Sequence, residues 1–209
     1  KCFFVFGTPG PVSLKLRSEG FDVYHLNRLT SSFTPFGDIC NIILLNRILS
    51  SISPDIVHLN SSKAGFVGRI SCFFTGLISV YTVHGWGFGS GKPFLQSIFS
   101  FVVEFSLSRF ISKYICVSMP DLSIALNALR ISPAKLTHIY NGIPDIASSA
   151  IDCDQISFDC LMLARVHPSK DHSTLFKAMN LKPFTLALAG NGTDHSDFLS
   201  SAKAILEVS

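Results

Sequence analysis

Short apolar runs alternate with amphipathic stretches along the whole chain. Eight runs, Cys2–Phe6, Phe21–Leu26, Asp55–Leu59, Leu77–Val83, Tyr114–Val117, Leu136–Tyr140, Phe158–Ala164 and Phe184–Ala189, are too short for helices and show little strict alternation. Such runs are expected of strands covered on both faces. Between them, apolar residues recur at three- and four-residue spacings. This predicts helices over Val12–Glu19, from an Asp38 cap to Ile52, and over Ala64–Thr75, Pro93–Ser112, Pro120–Leu129, Asp171–Asn180 and Asp194–Glu207. Gly20 and Gly76 suit left-handed helix ends, Pro54 stops the second helix, and Ser118 caps the fifth.

Strands alternating with helices predict an α/β fold with a parallel sheet. Residues 145–157 have no periodicity and are expected to link a domain at 1–144 to a second at 158–209. The chain opens directly on a strand and closes inside a helical pattern, so both ends read as cut.

Parallel α/β sheets bind ligands at the carboxyl ends of their strands. His84, Asn141, Arg165 and Gly190 all stand just after expected strands. Arg165 and Lys170 flank a turn containing Pro168, and Ser169 or Asp171 caps the helix beyond it. Two cations beside a helix start make a seat for a diphosphate. Gly190-Asn191-Gly192 is a glycine-rich turn without the GxGxxG spacing of dinucleotide sites. The loop Gly85–Gly91 lets a substrate approach the backbone closely, or serves as a lid.

Composition narrows the partners. Of 209 residues, 47% are apolar and 15% charged, with 19 phenylalanines, and mean hydropathy is +0.41. The most apolar stretch, Pro93 to Val117, is interrupted by Gln96, Glu104, Arg109 and Lys113. It therefore reads as an amphipathic or buried helix and a strand, not a membrane span. A net charge of +3 without any Lys/Arg run excludes a nucleic-acid surface and leaves a weak attraction to anionic lipid. The six cysteines have no metal-ligand spacing and lie mostly in apolar runs, which suits free thiols in a reducing, cytoplasmic setting.

In order, Pro54-Asp55-Ile56-Val57-His58, Ser62-Lys63-Ala64-Gly65, Tyr81-Thr82-Val83-His84-Gly85, Ile115-Cys116-Val117-Ser118, Ile139-Tyr140-Asn141-Gly142-Ile143, Ala164-Arg165 with Lys170, and Ala189-Gly190-Asn191-Gly192 run through nearly the whole chain. Together they resemble the GT-B glycosyltransferases of family 4. The resemblance implies two Rossmann-like domains facing a cleft, the first binding mainly the acceptor and the second a nucleotide-diphosphate sugar as co-substrate, with no metal or other cofactor. It assigns Arg165 and Lys170 to the diphosphate, His84 to the neighbourhood of the transferred sugar, and Asn141, Gly142, Gly190, Asn191 and Gly192 to the donor side. Lys63, Gly65 and Gly85 fall on the acceptor side. The implied reaction is retaining sugar transfer to a saccharide or lipid-linked saccharide in cell-surface polysaccharide synthesis, in the cytoplasm or against the inner membrane face.

The resemblance is incomplete. The first domain lacks the family's first βα unit. The donor domain lacks a pair of glutamates two turns apart, since the chain's glutamates are Glu19, Glu104 and Glu207. If these residues are the entire product, little transfer is expected. Two other readings stay open: a sugar-nucleotide epimerase of the same architecture, and a non-catalytic remnant that binds a partner.

Overall fold

The computed structural model describes residues 1–30, 33–89, 93–143, 158–181 and 184–206. The chain divides into two compact units, Lys1–Gly142 and Ile143–Ser209. The stretch 145–157, expected to be a linker, lies outside the described residues.

The first unit begins with β1 (Phe3–Phe6), α1 (Pro11–Ser18) and β2 (Asp22–His25), and β1 pairs with β2 in parallel. Next come α2 (Pro35–Ile52), β3 (Val57–Asn60), α3 (Ser62–Thr75), β4 (Ser79–Val83), α4 (Phe94–Leu107), β5 (Lys113–Cys116), α5 (Met119–Asn127) and β6 (Leu136–His138). Strands β3-β4-β5-β6 form a second parallel sheet in that order. The second unit contains β7 (Cys160–Leu163), α6 (His172–Met179), β8 (Leu186–Ala189) and α7 (Ser196–Leu206), with β7 and β8 parallel.

Two clusters form the core of the first unit. Leu45 and Leu49 of α2 meet Val67 and Cys72 of α3, while Tyr81, Val83, Tyr114, Cys116 and Leu129 surround the β4–β5 pair. Each fully buried Leu or Val contributes roughly 1.5–3 kcal/mol relative to exposure. Glycines tighten the α3 contact: a Cβ on Gly68 would collide with Leu59.

Several expected boundaries shift for local reasons. Asp38 does not cap α2. Thr34 holds the N-cap position and Pro35 starts the helix, leaving Asp38 inside its first turn and 2% exposed. The fourth helix ends at Leu107 rather than Ser112, because Ser108–Phe110 tighten into a 3₁₀ turn and Ser112 N–H donates to Ser79 O (3.1 Å). Strand β6 stops at His138, which leaves Asn141 and Gly142 exposed beyond the sheet.

Helix α4 settles an open expectation. Of the two forms expected, amphipathic or buried, it is not the buried one: Glu104 and Leu107 are its buried residues, while Phe94, Leu95, Ile98, Phe99, Val102 and Phe105 are exposed. The helix turns its one acid inward because Arg69 of α3 waits there, 2.8 Å away. In the second unit, Leu161 and Leu163 are exposed where cover on both faces was expected. Helices α6 and α7 pack together through Phe176 and Phe198, and Asn180 Nδ2 donates to Ile205 O (2.7 Å).

Candidate functional site

The second unit brings Arg165 against the glycine-rich turn. Beyond the β7–β8 ladder the two strand ends stay joined. Ala164 N–H donates to Ala189 O (2.8 Å), and Val166 N–H donates to Asn191 O (2.8 Å). Arg165 lies between these two bonds, so its backbone is fixed to the turn that follows β8. Gly190 permits the approach: at φ +149° it has a backbone that side chains rarely adopt, and a Cβ there would strike the Ala164 carbonyl. Gly192, at φ +88°, is buried against Val166. Thr193 closes the turn by donating from its hydroxyl to Gly190 O (2.8 Å). Asn191 itself is exposed.

Lys170 ends a 3₁₀ turn, Pro168–Lys170, held by its own N–H donating to His167 O (2.9 Å). Arg165 and Lys170 are both exposed, and no hydrogen bond or ion pair engages either side chain among the described residues. Two exposed cations after β7 without an ion-pair partner among the described residues are chemically suited to an anionic ligand.

The helix N-terminus contributes less to that seat than the sequence pattern suggests. Asp171 occupies it, in the left-handed region at φ 50°, and accepts from Thr174 N–H (3.3 Å) and Ser173 Oγ (3.0 Å). Hydrogen bonds from Thr174 and Ser173 hold its carboxyl below the ordinary value. With a carboxylate already capping α6, the helix start has little attraction left for a further anion.

In the first unit, β4 ends at Val83, and His84 stands exposed directly after it. Gly85 follows at φ +120° with open space where a Cβ would be. The loop is anchored below by Trp86, whose Nε1 donates to Asp121 O (3.0 Å) and whose ring stacks near Phe88. Gly89 N–H donates to Ser97 Oγ (3.0 Å), tying the loop to α4. At Gly87, a Cβ would reach 3.7 Å from Ser62 Oγ, so the loop leans on the first residue of α3.

That helix start carries Lys63 and Gly65. Lys63 Nζ lies 2.6 Å from both carboxylate oxygens of Asp38, with the two side chains 13% and 3% exposed. Asp38 also accepts from Thr34 N–H (3.1 Å), and the Lys63 ammonium sits over the Phe33 ring. Gly65 is buried under Tyr81, whose ring atoms would lie 3.0 Å from an added Cβ. Lys63 and Gly65 thus hold the start of α3 against α2 and β4, beside the His84 loop. Asn141 and Gly142 are exposed at the end of the first unit. No three His, Cys, Asp or Glu residues converge as a metal site among the described residues.

The family model for Glycosyltransferase Family 4 matches residues 4–145, more than half of the chain. The chain belongs to glycosyltransferase family 4. Among curated proteins it is 29% identical over 146 residues to an Escherichia coli UDP-Gal:alpha-D-GlcNAc-diphosphoundecaprenol alpha-1,3-galactosyltransferase, covering 64% of this chain and 38% of that protein. It is 25% identical over 158 residues to the O-antigen biosynthesis glycosyltransferase WbnH of Escherichia coli, covering 74% of this chain and 45% of that protein. The chain therefore spans less than half the length of these curated relatives.

Solved structures agree on the GT-B fold. Anabaena Alr3699/HepE, crystallised with UDP and glucose, superposes with a TM-score of 0.67 at 18% identity, over 100% of this chain and 66% of that one. A UDP-GlcNAc 2-epimerase from Methanocaldococcus jannaschii superposes less well, with a TM-score of 0.55 at 14% identity over 98% and 68% of the two chains.

The structure also pairs charged residues that the sequence pattern did not bring together. Asp38 is the partner of Lys63, and Glu104 is the partner of Arg69. A signal for the second pair existed: Glu104 is the sole charge in the apolar run of α4, and Arg69 sits alone amid the apolar centre of α3.

Proposed function

We propose that this family 4 chain carries the donor-diphosphate seat and the acceptor-side surface of a retaining, metal-independent sugar transferase. Its donor is a UDP-sugar, the class named for the Escherichia coli galactosyltransferase and present as UDP-glucose in a HepE structure. The second unit binds the donor and the first unit the acceptor. The observation that carries this reading is the pinned pair of strand ends, Ala164–Val166 against Ala189–Asn191, which presents Arg165 beside the Gly190 turn.

During transfer the bond between the anomeric carbon and the diphosphate oxygen breaks, and its electron pair stays on the departing nucleotide. A bond forms from the acceptor hydroxyl oxygen to the same face of the sugar, and the hydroxyl loses its proton. Negative charge builds on the diphosphate, and fixed cations there stabilise the transition state more than the ground state. Arg165 offers a planar fork to phosphate oxygens, and Lys170 a mobile point charge. The family resemblance assigns His84 to the transferred sugar, Gly85 to the acceptor side, and Asn141 and Gly142 to the donor side.

The acceptor is a saccharide on a lipid diphosphate, as in O-antigen assembly. Exposed Phe94, Leu95, Ile98, Phe99 and Val102 on α4 support a peripheral contact with the membrane carrying it. Phe33 joins this surface, 5.1 Å from Phe99, and Lys63 borders it. No helix among the described residues is long and apolar enough to cross a membrane.

Phosphorus NMR of UDP tests the donor seat. Both phosphate resonances should shift or broaden on adding the protein, and Arg165→Ala should abolish most of the change. Equal perturbation by the variant removes the seat. Interconversion of a UDP-sugar in an acceptor-free mixture would favour the epimerase reading.

A further inference from the structure

Two asparagines of the chain precede glycine, in Asn141-Gly142 and Asn191-Gly192. Such a pair can react with itself. Glycine has no Cβ to shield its backbone nitrogen, and its free backbone lets that nitrogen swing onto the preceding side chain. The structure sets the two pairs apart. Asn141 and Gly142 follow β6 outside any helix or strand, and both are exposed. The last backbone bond ahead of them runs from Ile139 N–H to Cys116 O (3.1 Å), and no hydrogen bond engages either residue among the described residues. A Cβ on Gly142 would meet nothing within 4 Å.

Asn191 and Gly192 are held instead. Gly192 is buried at φ +88°. Thr193 N–H donates to Gly190 O (3.3 Å) and His195 N–H to Gly192 O (3.2 Å), while Asn191 O accepts from Val166 N–H (2.8 Å). That last bond matters most. The Asn191 oxygen and the Gly192 nitrogen belong to one peptide group, so the nitrogen cannot rotate onto the Asn191 side chain until Val166 lets go.

We propose that Asn141 is a site of spontaneous deamidation, and that the bonded ends of β7 and β8 shield Asn191 from the same reaction. The Gly142 backbone nitrogen bonds to Asn141 Cγ. The bond from Cγ to the side-chain nitrogen breaks, and ammonia leaves with the proton that the Gly142 nitrogen gives up. Water then opens the cyclic imide at either carbonyl, leaving an aspartate or an isoaspartate and one new negative charge. The isoaspartate form inserts a methylene into the backbone where the first unit ends, at Gly142. The same reaction at Asn191 would set a carboxylate on the turn bonded to Val166, next to Arg165, and oppose a diphosphate there. This consequence rests on the donor-seat reading; the reaction itself does not.

Ageing the 209-residue chain at mildly alkaline pH, with peptide mapping by mass spectrometry, tests the proposal. Asn141 should convert roughly tenfold or more faster than Asn191, as expected when local opening must precede reaction. Methyl transfer by a protein isoaspartate methyltransferase should label the Asn141 peptide. In urea the two sites should convert at similar rates. Gly142→Ala should slow conversion of Asn141 and leave the fold intact, since Gly142 is not at positive φ and an added Cβ has open space. Gly190→Ala, which forces the Ala164 carbonyl away from the turn, should speed conversion of Asn191 alone. Equal rates in the folded chain, or a difference that persists in urea, overturns the shielding. An Asn141 that survives in the folded chain but converts in urea overturns the site.

Discussion

Arg69 Nη2 lies 2.8 Å from Glu104 Oε2, with the two side chains 0% and 5% exposed. The guanidinium also donates from Nε to Gly65 O (2.8 Å) and from Nη1 to the Tyr114 hydroxyl (3.3 Å), and lies over the Tyr81 ring. One buried cation thus ties α3 to α4, β4 and β5. Burial around it pushes the Tyr114 phenol up to about 12.

Glu104→Ala leaves that guanidinium buried and unpaired, so it should cost about 3–5 kcal/mol of stability. Replacing both partners, Arg69→Met with Glu104→Leu, should cost much less. Urea unfolding of the single and double variants checks this through the shift in midpoint.

Gly190→Ala should lower stability by more than about 1 kcal/mol, since φ +149° disfavours any Cβ and the Ala164 carbonyl stands in its way. It should also weaken UDP binding, because Arg165 is aimed by the same approach of strand ends. Thermal melting and a UDP titration read the two effects separately.

Asp171 gives a pH signature. Hydrogen bonds from Thr174 and Ser173 place its folded pKa below the ordinary 3.8. A depressed carboxyl stabilises fully above the unfolded value and ceases to do so as pH falls through the folded one. The gap in melting temperature between wild type and Asp171→Ala should therefore be constant near neutrality and shrink below about pH 4.

The exposed face of α4 should bind membranes. Flotation with anionic vesicles should carry the wild-type chain upward, and the triple variant Phe94→Ser, Leu95→Ser, Phe99→Ser should lose roughly tenfold or more of that binding, given the transfer energy of large apolar side chains. The fold should be unaffected, since all three side chains are exposed.

Alternation of strands and helices was plain in the sequence because apolar runs and helical spacing report burial directly. Gly20 and Gly76 were legible as helix ends, and both take positive φ. Ser118 was legible as a cap, accepting from Asp121 N–H at 3.2 Å. Asp38 was misread because a cap and a buried ion-pair partner look alike at a helix start. Its lysine lies 25 residues away in sequence. The exposed face of α4 was not legible for a related reason: periodicity marks an apolar stripe but not whether the core or another surface covers it. The nearness of Arg165 to the Gly190 turn was implied by position after two strands. Its cause, two hydrogen bonds beyond the ladder, was not.

The diphosphate seat at Arg165 and Lys170 is tested most directly by comparing UDP with uridine in calorimetry. The wild-type chain should prefer UDP by roughly 10- to 100-fold, as charge-assisted hydrogen bonds to phosphate predict. The double variant Arg165→Ala, Lys170→Ala should bind both ligands alike. A double variant that keeps the full preference for UDP would contradict the account.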